Sequence, residues 1–254
     1  MTERPPVLFP VQILEGESIP EGVPQLLAHA HVVLLGYHVV PEQTAAGQAR
    51  TQFEERATQR LEQFETILED AGATVETRLV FTHDAQTTID RTIYEHDCIA
   101  VLVPNATEPP ENVLVAVRGT VGVDRHARLV AGLFGPAQVD VTLYHALDDG
   151  ESEADATVLL DGIEERLVEK GVDSGAIDRL IGSEGHSSDA IADLAGDFDA
   201  VVIGESDPSV ATFVFGLRAE QVAERFLGPV FVVQRERPDD ADGTGKESNG
   251  SVDQ

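Results

Sequence analysis

The sequence predicts an α/β protein built from two tandem domains, each a doubly wound parallel sheet. Short apolar segments rich in valine and leucine alternate with amphipathic helical segments, a pattern typical of parallel sheets covered on both faces. The order of segments also recurs, because VLFPV at 7–11 returns as VLVAV at 113–117 and AVLV at 100–103 returns as AVVI at 200–203. Between the copies, NATEPPEN at 105–112 carries two prolines, which disfavour regular structure.

The first predicted domain, half one, covers residues 1–108. Its hydrophobic periodicity predicts strands at 7–12, 31–39, 75–81 and 98–103, separated by helices at 20–29, 46–71 and 84–95. The long helix carries apolar residues at helical spacing, and Gly72 is placed to end it. These apolar residues are Phe53, Ala57, Leu61, Phe64, Ile67 and Leu68.

The second predicted domain, half two, covers residues 109–236 and repeats this order. Its predicted strands are 113–118, 138–145, 176–181 and 199–203, and its predicted helices are 122–134, 155–170 and 187–196. Half two then adds a loop, a helix at 217–227 and a strand at 230–234 that half one lacks, so half one is the truncated copy. Residues 237–254 are polar and glycine-rich and predict a disordered tail.

The charge is strongly acidic throughout the chain. The 254 residues include 46 Asp and Glu but 17 Lys and Arg, for a formal net charge of −29. Such a surface repels phosphates, so we expect no nucleic-acid partner. Because the acids are spread evenly, we interpret them as adaptation to a salty cytoplasm, with binding of calcium or a cationic partner as the alternative.

Other classes of protein are excluded by absences in the sequence. No apolar segment approaches a membrane span and the N-terminal segment lacks a signal-peptide pattern, so we expect a cytoplasmic protein without membrane insertion. Cys98 is the only cysteine, which excludes an internal disulfide and a cysteine-cluster zinc site. We expect no metal site, and we expect Cys98 to be a core residue.

Glycines cluster where a doubly wound sheet places its ligand, beyond the carboxyl ends of its strands. Three segments of half two should meet there: RGTVG at 118–122, Tyr144-His145, and the glycine-containing segment from Gly204 to Gly216. Glycines let backbone N–H groups approach a phosphate, and a following helix N-terminus adds a favourable dipole. The candidate ligand-binding residues are Arg118, Gly119, Thr120, Gly204, Ser206, Ser209 and Gly216.

The segments DAVVIGESD and AEQVAERFLGPVFVV make the chain resemble the universal stress protein family, as two tandem Rossmann-like copies. Nucleotide-binding members carry an aspartate after the first strand. They also carry a glycine loop of the form G-x-x-G, nine residues, G-S/T after the fourth. Here Gly204 and Gly216 match the loop, but Arg118 replaces the aspartate, Asp207 the second glycine and Leu217 the hydroxyl residue. The nucleotide motif is therefore degenerate.

This comparison predicts a stress-related regulatory or interaction module without family-type ATP binding and without a cofactor. An enzyme is not expected, because the sequence lacks the G-x-S-x-G and G-K-S/T motifs and any clear nucleophile–base pair. Two alternatives remain open. One is a nucleotide binder or slow ATPase that uses half two with ATP and magnesium, and the other is a small-molecule sensor that regulates a transporter.

The final apolar strand, Val230–Val233, is expected at the sheet edge, where an unpaired backbone is available to another chain. We therefore predict a homodimer through this strand. Half one would then be left to pack against half two or to contact a protein partner.

Overall fold

The computed structural model describes residues 3–16, 18–43, 45–117, 122–148, 150–182, 191, 194–204 and 228–235. Capping side chains and a left-handed glycine mark the ends of its helices. Asp84 accepts a hydrogen bond from the Thr87 N–H and starts one helix, while Ser152 and Asp155 form a capping box at the start of another. Gly72, with φ 112°, follows the longest helix, as the sequence predicts.

The elements follow the predicted alternation closely. In half one they are β1 (Pro6–Gln12), α1 (Val23–Leu26), β2 (His31–Val39), α2 (Ala46–Asp70), β3 (Thr74–Thr82), α3 (Ala85–Glu95) and β4 (Ala100–Val103). In half two they are β5 (Asn112–Ala116), α4 (Val123–Leu133), β6 (Asp140–Ala146), α5 (Glu153–Glu169), a 3₁₀ turn (Ser174–Ala176), β7 (Ile177–Gly182), β8 (Ala200–Gly204) and β9 (Val230–Val233).

Helix α1 is the clearest difference from the predicted bounds, since it covers four residues where 20–29 was expected. Gly22 adopts φ 81°, a left-handed conformation that cannot continue a right-handed helix towards its N-terminus. After Leu26 the chain closes through short bonds, with the Ala28 N–H donating to Gln25 O and the Ala30 N–H to Leu27 O. The predicted helix at 217–227 and the tail at 237–254 lie outside the described residues.

The strands in the described part of the chain form one nine-stranded sheet in the order β3-β2-β1-β4-β9-β8-β5-β6-β7. Half one contributes β3-β2-β1-β4, and half two contributes β7-β6-β5-β8 with the same internal order. Within each half these neighbours are parallel, which confirms the α/β, parallel-sheet fold class. The domain limits at 108 and 236 stay predictions.

Strand β9 joins the two halves. It pairs parallel to β8, with Val230 opposite Val201, and antiparallel to β4, with Val230 opposite Val103. The prediction that Val230–Val233 lies at the sheet edge is therefore wrong, and with it the predicted homodimer through this strand, because both backbone edges of β9 are already paired. The strands of the two halves consequently point in opposite directions.

The core is continuous on one face of the sheet and divided on the other. On the continuous face, side chains from both halves pack with α1, α2, α4 and α5, and Phe231 of β9 makes an edge-to-face contact with Phe134. On the opposite face, α3 covers the half-one strands, while Ile191 and Ala195 cover the half-two strands. Val230 and Val232 of β9 pack in the same cluster as Ile191 and Ala195.

The segment at 104–111, which we call the linker, ties half one to the amino ends of the half-two strands. The Asn105 side-chain amide donates to Gly228 O (3.0 Å), next to β9, and the Thr107 hydroxyl donates to Asp199 O (2.8 Å), next to β8. The Asp199 carboxylate accepts from the Glu111 N–H (2.9 Å). Side-chain hydrogen bonds thus hold the linker in place, although it forms no β-strand.

Candidate functional site

The candidate site lies where β5 and β8 end side by side. From β5 the chain continues to β6 and β7 on one side, and it returns as β8 on the other side. Where the chain connections from adjacent parallel strands run in opposite directions, a crevice forms at the carboxyl ends of those strands. Doubly wound sheets bind ligands in this crevice. Helix α4, which follows β5, begins at this crevice after Gly122, and β8 ends there at Gly204.

His126, in the first turns of α4, connects these two ends. Its Nδ1 lies 2.9 Å from Gly122 O, and a Cβ added to Gly204 would lie 3.5 Å from His126 Cε1. The residue is 5% exposed, and burial lowers the pKa of the imidazole, with the Gly122 carbonyl acting in the opposite direction. The ring is therefore neutral at pH 7. Within the described part of the chain, Nε2 is buried without a hydrogen-bond partner.

Gly204 has no structural requirement to be glycine within the described residues. Its φ lies outside the left-handed region, and an added Cβ would make only ordinary van der Waals contact with the His126 ring. By contrast, Gly122 adopts φ 77°, which favours glycine for conformational reasons. A glycine that neither conformation nor packing demands is the kind of residue that lets a backbone approach another group closely.

His145, at the end of β6, lies beside the same crevice on the neighbouring strand. It is 1% exposed; its Nδ1 lies 2.9 Å from Val117 O and its Nε2 lies 2.9 Å from Glu151 Oε2. Glu151 also accepts from the Asp148 N–H, and these two hydrogen bonds, the backbone one first, lower the pKa of the Glu151 carboxyl. This arrangement ties the loop after β6 to the end of β5.

Tyr144, one residue earlier, faces the opposite side of the sheet. It is buried, and burial raises the pKa of its phenol. Its ring lies over Gly182 at the end of β7, where an added Cβ would be 2.9 Å from Tyr144 Cζ. A side chain at position 182 would therefore force the Tyr144 ring to move. Tyr144 and His145 are thus buried residues at the end of β6.

The equivalent place in half one is filled by the protein itself. The Thr107 N–H donates to Glu21 O (3.0 Å) in the segment between β1 and α1. A Cβ added to Gly22 would lie 2.7 Å from Thr107 Cγ2 and closer still to its carbonyl oxygen. The linker is thus packed directly against the turn that precedes α1. This turn of half one corresponds to the turn that ends at Gly122 in half two.

The described members of two of the three predicted segments, Gly122 and Gly204, lie beside the same side chain, His126. Gly122 O lies 2.9 Å from His126 Nδ1, and a Cβ added to Gly204 would lie 3.5 Å from the His126 ring. Tyr144 is instead connected to the residue before the first segment, since the Val117 N–H donates to Tyr144 O (2.8 Å). Of the seven candidate ligand-binding residues, Gly204 is described, whereas Arg118, Gly119, Thr120, Ser206, Ser209 and Gly216 lie outside the described residues, so their roles stay predictions.

His126 was not among the sequence candidates. The sequence did contain a sign of its importance, because a histidine on the apolar face of an amphipathic helix must either find a hydrogen-bond partner or leave a buried polar atom unpaired.

Three further predictions concern other chemistry. Cys98 is 1% exposed, and burial, with Asp97 and Glu76, raises the pKa of its thiol to about 12, so it is the core residue that was expected. Among the described residues, no group of three or more His, Cys, Asp or Glu side chains could hold a metal ion. Within the same residues, no helix combines the length and apolarity needed to cross a membrane.

Comparison with known proteins shows the fold. A universal stress protein from Archaeoglobus fulgidus DSM 4304 superposes with a TM-score of 0.63 at 19% identity, covering 91% of this chain and 96% of that one. A Pseudomonas aeruginosa UCBPP-PA14 protein provisionally assigned to the universal stress proteins gives 0.50 at 18% identity, covering 91% and 93%. The chain therefore has the Rossmann-like α/β fold found in universal stress proteins.

Other comparisons are more limited. A universal stress protein from Archaeoglobus fulgidus in complex with dAMP matches at 22% identity and a TM-score of 0.37, covering 48% of this chain and 96% of that one. No protein-family model matches the chain, and no curated protein matches it. The likeness is thus one of fold.

Proposed function

We propose that this protein is a universal stress protein-like regulatory or interaction module, cytoplasmic and adapted to high salt, that does not bind ATP in the manner of that family and is not an enzyme. The observation that carries the proposal is the linker packed on Gly22. Half one keeps the sheet and the crevice position of the fold, yet its own residue 107 occupies the turn where a ligand would sit. Half one would then have a structural role or bind a protein partner, and it would not bind a nucleotide.

Half two supports the proposal through its electrostatics and its packing. Asp207 stands where the family loop has its second glycine, and a carboxylate there would repel a triphosphate. Arg118 replaces the acidic residue after the first strand, and Leu217 replaces the hydroxyl residue. In the described part of the crevice, the neutral His126 ring lies against Gly204 and offers no positive charge to phosphate.

Calorimetry with ATP and magnesium at high salt tests the proposal. We expect no binding heat from the wild-type protein, and Gly204→Glu should leave the titration unchanged. Gly196→Glu is the matched control, because Gly196 has open space around it and the substitution adds the same charge outside the crevice. Micromolar ATP binding that Gly204→Glu abolishes and Gly196→Glu preserves would refute the proposal.

One observation favours the alternative of a nucleotide binder. Gly204 is not needed for the fold by conformation or by packing, so a glycine there suits close approach by a ligand backbone or phosphate. In this alternative, half two would use Gly204, Ser206, Ser209 and Gly216 with ATP and magnesium, and Thr120 would supply the missing hydroxyl. The calorimetric experiment above decides between the two functions.

A further inference from the structure

Strand β3 forms one outer edge of the sheet in the described part of the chain. It covers nine residues, and its register with β2 is constant from His31 opposite Thr74 to Val39 opposite Thr82, so it has no bulge. It also contains no proline and no lysine, two residues with which proteins protect a sheet edge from further pairing. None of its nine residues is fully buried. The edge is therefore suited to pairing with another strand.

The hydrogen bonds to β2 show which backbone groups of β3 point outward. The Thr74 N–H donates to Ala30 O and Thr82 O accepts from the Val40 N–H, so the even-numbered residues of β3 bond to β2. In a parallel pair, the residues between them direct their N–H and C=O groups away from the partner strand. On this outward side, β3 has no neighbouring strand among the described residues. The outward residues are Val75, Thr77, Leu79 and Phe81.

The side chains of β3 are self-complementary about Thr77. In an antiparallel pair of two β3 strands with Thr77 opposite its own copy, Glu76 of each chain lies opposite Arg78 of the other. The same pairing sets Val75 of each chain opposite Leu79 of the other. Both apolar residues are partly buried against the core of their own chain, and a second strand would cover them further. One register thus matches charges on one face and apolar groups on the other.

The backbone and the charges together select this register. A two-fold antiparallel pair matches odd residues with odd residues, because only then do the outward N–H and C=O groups of both strands meet. A pair centred on Glu76 would oppose two carboxylates, and a pair centred on Arg78 would oppose two guanidinium groups. Like charges directly opposite destabilise a strand pair. A pair centred on Val75 or Leu79 brings neither charge opposite its counterpart.

His96, which follows α3, holds both charged side chains at the edge. Its Nε2 accepts from Arg78 Nε (2.9 Å), and its Nδ1 lies 3.3 Å from Glu76 Oε2. The bond from Nε uses one of the five guanidinium donors of Arg78, so the donors of the two terminal nitrogens are not used by it. The Glu76 side chain is 46% exposed, whereas the His96 side chain is 9% exposed. The charges are therefore positioned before a partner binds, which lowers the entropic cost of association.

Strand β7, at the other edge of the described sheet, lacks this symmetry. Its charged residues, Asp178 and Arg179, are adjacent, so they project from opposite faces and cannot lie opposite each other in a two-fold antiparallel pair. Arg179 is also ion-paired within the chain to Asp161 and Glu164 of α5. We propose that β3 pairs antiparallel with β3 of a second copy of this chain, centred on Thr77, so that the two sheets continue into one another.

This interface goes beyond the proposed function, because it does not depend on what either crevice binds. Two chains that each carry a net charge of −29 repel one another at low salt. At about 1 M salt the Debye length falls to about 3 Å, which screens this repulsion, while partly buried ion pairs are screened less. We therefore expect the dimer at high salt and its dissociation at low salt.

Exchanging the charges at positions 76 and 78 tests the pairing. Sedimentation equilibrium of the full-length protein in about 1 M salt should give twice the mass of one chain. Glu76→Arg and Arg78→Glu should each weaken the dimer at least tenfold, because each sets like charges opposite one another. An equal mixture of the two variants should form a heterodimer, and the double variant should dimerise by itself. Asp178→Arg on β7 is the matched control and should keep the wild-type mass.

Hydrogen exchange of the wild-type amides locates the interface without any substitution. In a concentrated sample at high salt, the outward N–H groups of Val75, Thr77 and Leu79 should be protected, because they donate to the second strand. Dilution should remove this protection. The N–H groups of Glu76 and Arg78 are the internal control, since they donate to β2 and should stay protected at every concentration.

Each outcome decides for or against the interface. A wild-type chain that stays monomeric at high micromolar concentration in high salt overturns the proposal. A dimer that Glu76→Arg does not weaken also overturns it, as does a mixture of the two single variants that stays monomeric. Outward amides protected at every concentration would show that another segment of this chain covers β3. If a variant does not fold by circular dichroism, the wild-type mass and amide exchange still decide. ATP calorimetry does not bear on any of these results, so the proposed function and this interface can fail separately.

Discussion

Gly22 lets the linker pack directly against the turn before α1. Its φ of 81° is accessible to glycine at little cost, and the Thr107 backbone lies where a Cβ would be. In half two, the turn before the corresponding helix also has a left-handed glycine, Gly122, with φ 77°, but the nearest atoms to an added Cβ there belong to His126, 3.8 Å away. The same backbone turn therefore serves linker packing in one half and borders an imidazole in the other.

Substituting Gly22 with alanine tests this linker contact. We expect Gly22→Ala to lower the free energy of unfolding by about 1–2 kcal/mol for the left-handed backbone and by about 1–3 kcal/mol more for the clash with Thr107. Gly16→Ala is the control, because Gly16 has φ 83° and no atom near its added Cβ, so only the backbone cost should appear. Urea unfolding measures both variants, and equal losses would contradict the contact.

Glu151 gives the molecule a pH-dependent contact beside the crevice. Its folded-state pKa is lowered by the Asp148 N–H and by His145, so this stabilisation is present above the unfolded value, about pH 4.3, and is lost as the pH falls through the folded-state pKa. We expect Glu151→Gln to cost about 1 kcal/mol at pH 7, reduced by solvent screening. The difference should disappear in strong acid.

Thermal unfolding at pH 7 and at progressively lower pH measures this effect. Glu165→Gln, at an exposed position on α5, is the control. A cost for Glu151→Gln that stays constant from pH 7 into strong acid would show that the carboxylate charge is not responsible.

At the scale of elements, the positions of strands and helices could be predicted from the sequence, whereas the pairing of strands far apart in the chain could not. Strand β2 was predicted at its observed bounds, 31–39, because an apolar segment between turn residues identifies a strand by itself. The partners of β9 could not be predicted in the same way. An apolar four-residue strand suits an edge or an interior position equally, and pairing across more than a hundred residues depends on how the halves meet.

The interior position of β9 changes what its variants should do. Val232 is 1% exposed and pairs with Val101 on one side and Ile203 on the other. We expect Val232→Lys to destabilise the folded chain by at least about 3 kcal/mol, because a buried ammonium has no partner there. The loss should be independent of protein concentration.

Val158→Lys on α5, at a position 71% exposed, is the control and should change stability by less than about 0.5 kcal/mol. Urea unfolding at two protein concentrations tenfold apart distinguishes burial from an interface. A cost that falls as concentration rises would indicate that β9 pairs between chains.

The whole molecule combines features that could and could not be predicted. The repeated segment order correctly indicated two strand sets with the same internal order, since local pattern alone determines it. The candidate crevice was located by topology, and Gly122 and Gly204 lie on either side of the His126 ring there. The position of His126 between them depends on side-chain packing between α4 and β8, which the sequence pattern of either segment alone does not predict. The opposite directions of the two strand sets likewise arise only when β9 pairs with β4.

The shared strand predicts that both halves unfold as one unit. One core cluster includes side chains of both strand sets, and Phe231 of β9 lies in it against Phe134. Native-state hydrogen exchange should therefore give the same highest opening free energy for β2, in half one, and β6, in half two. Phe231→Ala should lower both values equally, by about 3–5 kcal/mol. If only β6 loses protection, the halves are independently stable units that β9 merely links. A common loss requires that the continuous core, and not either half alone, sets the stability of this chain.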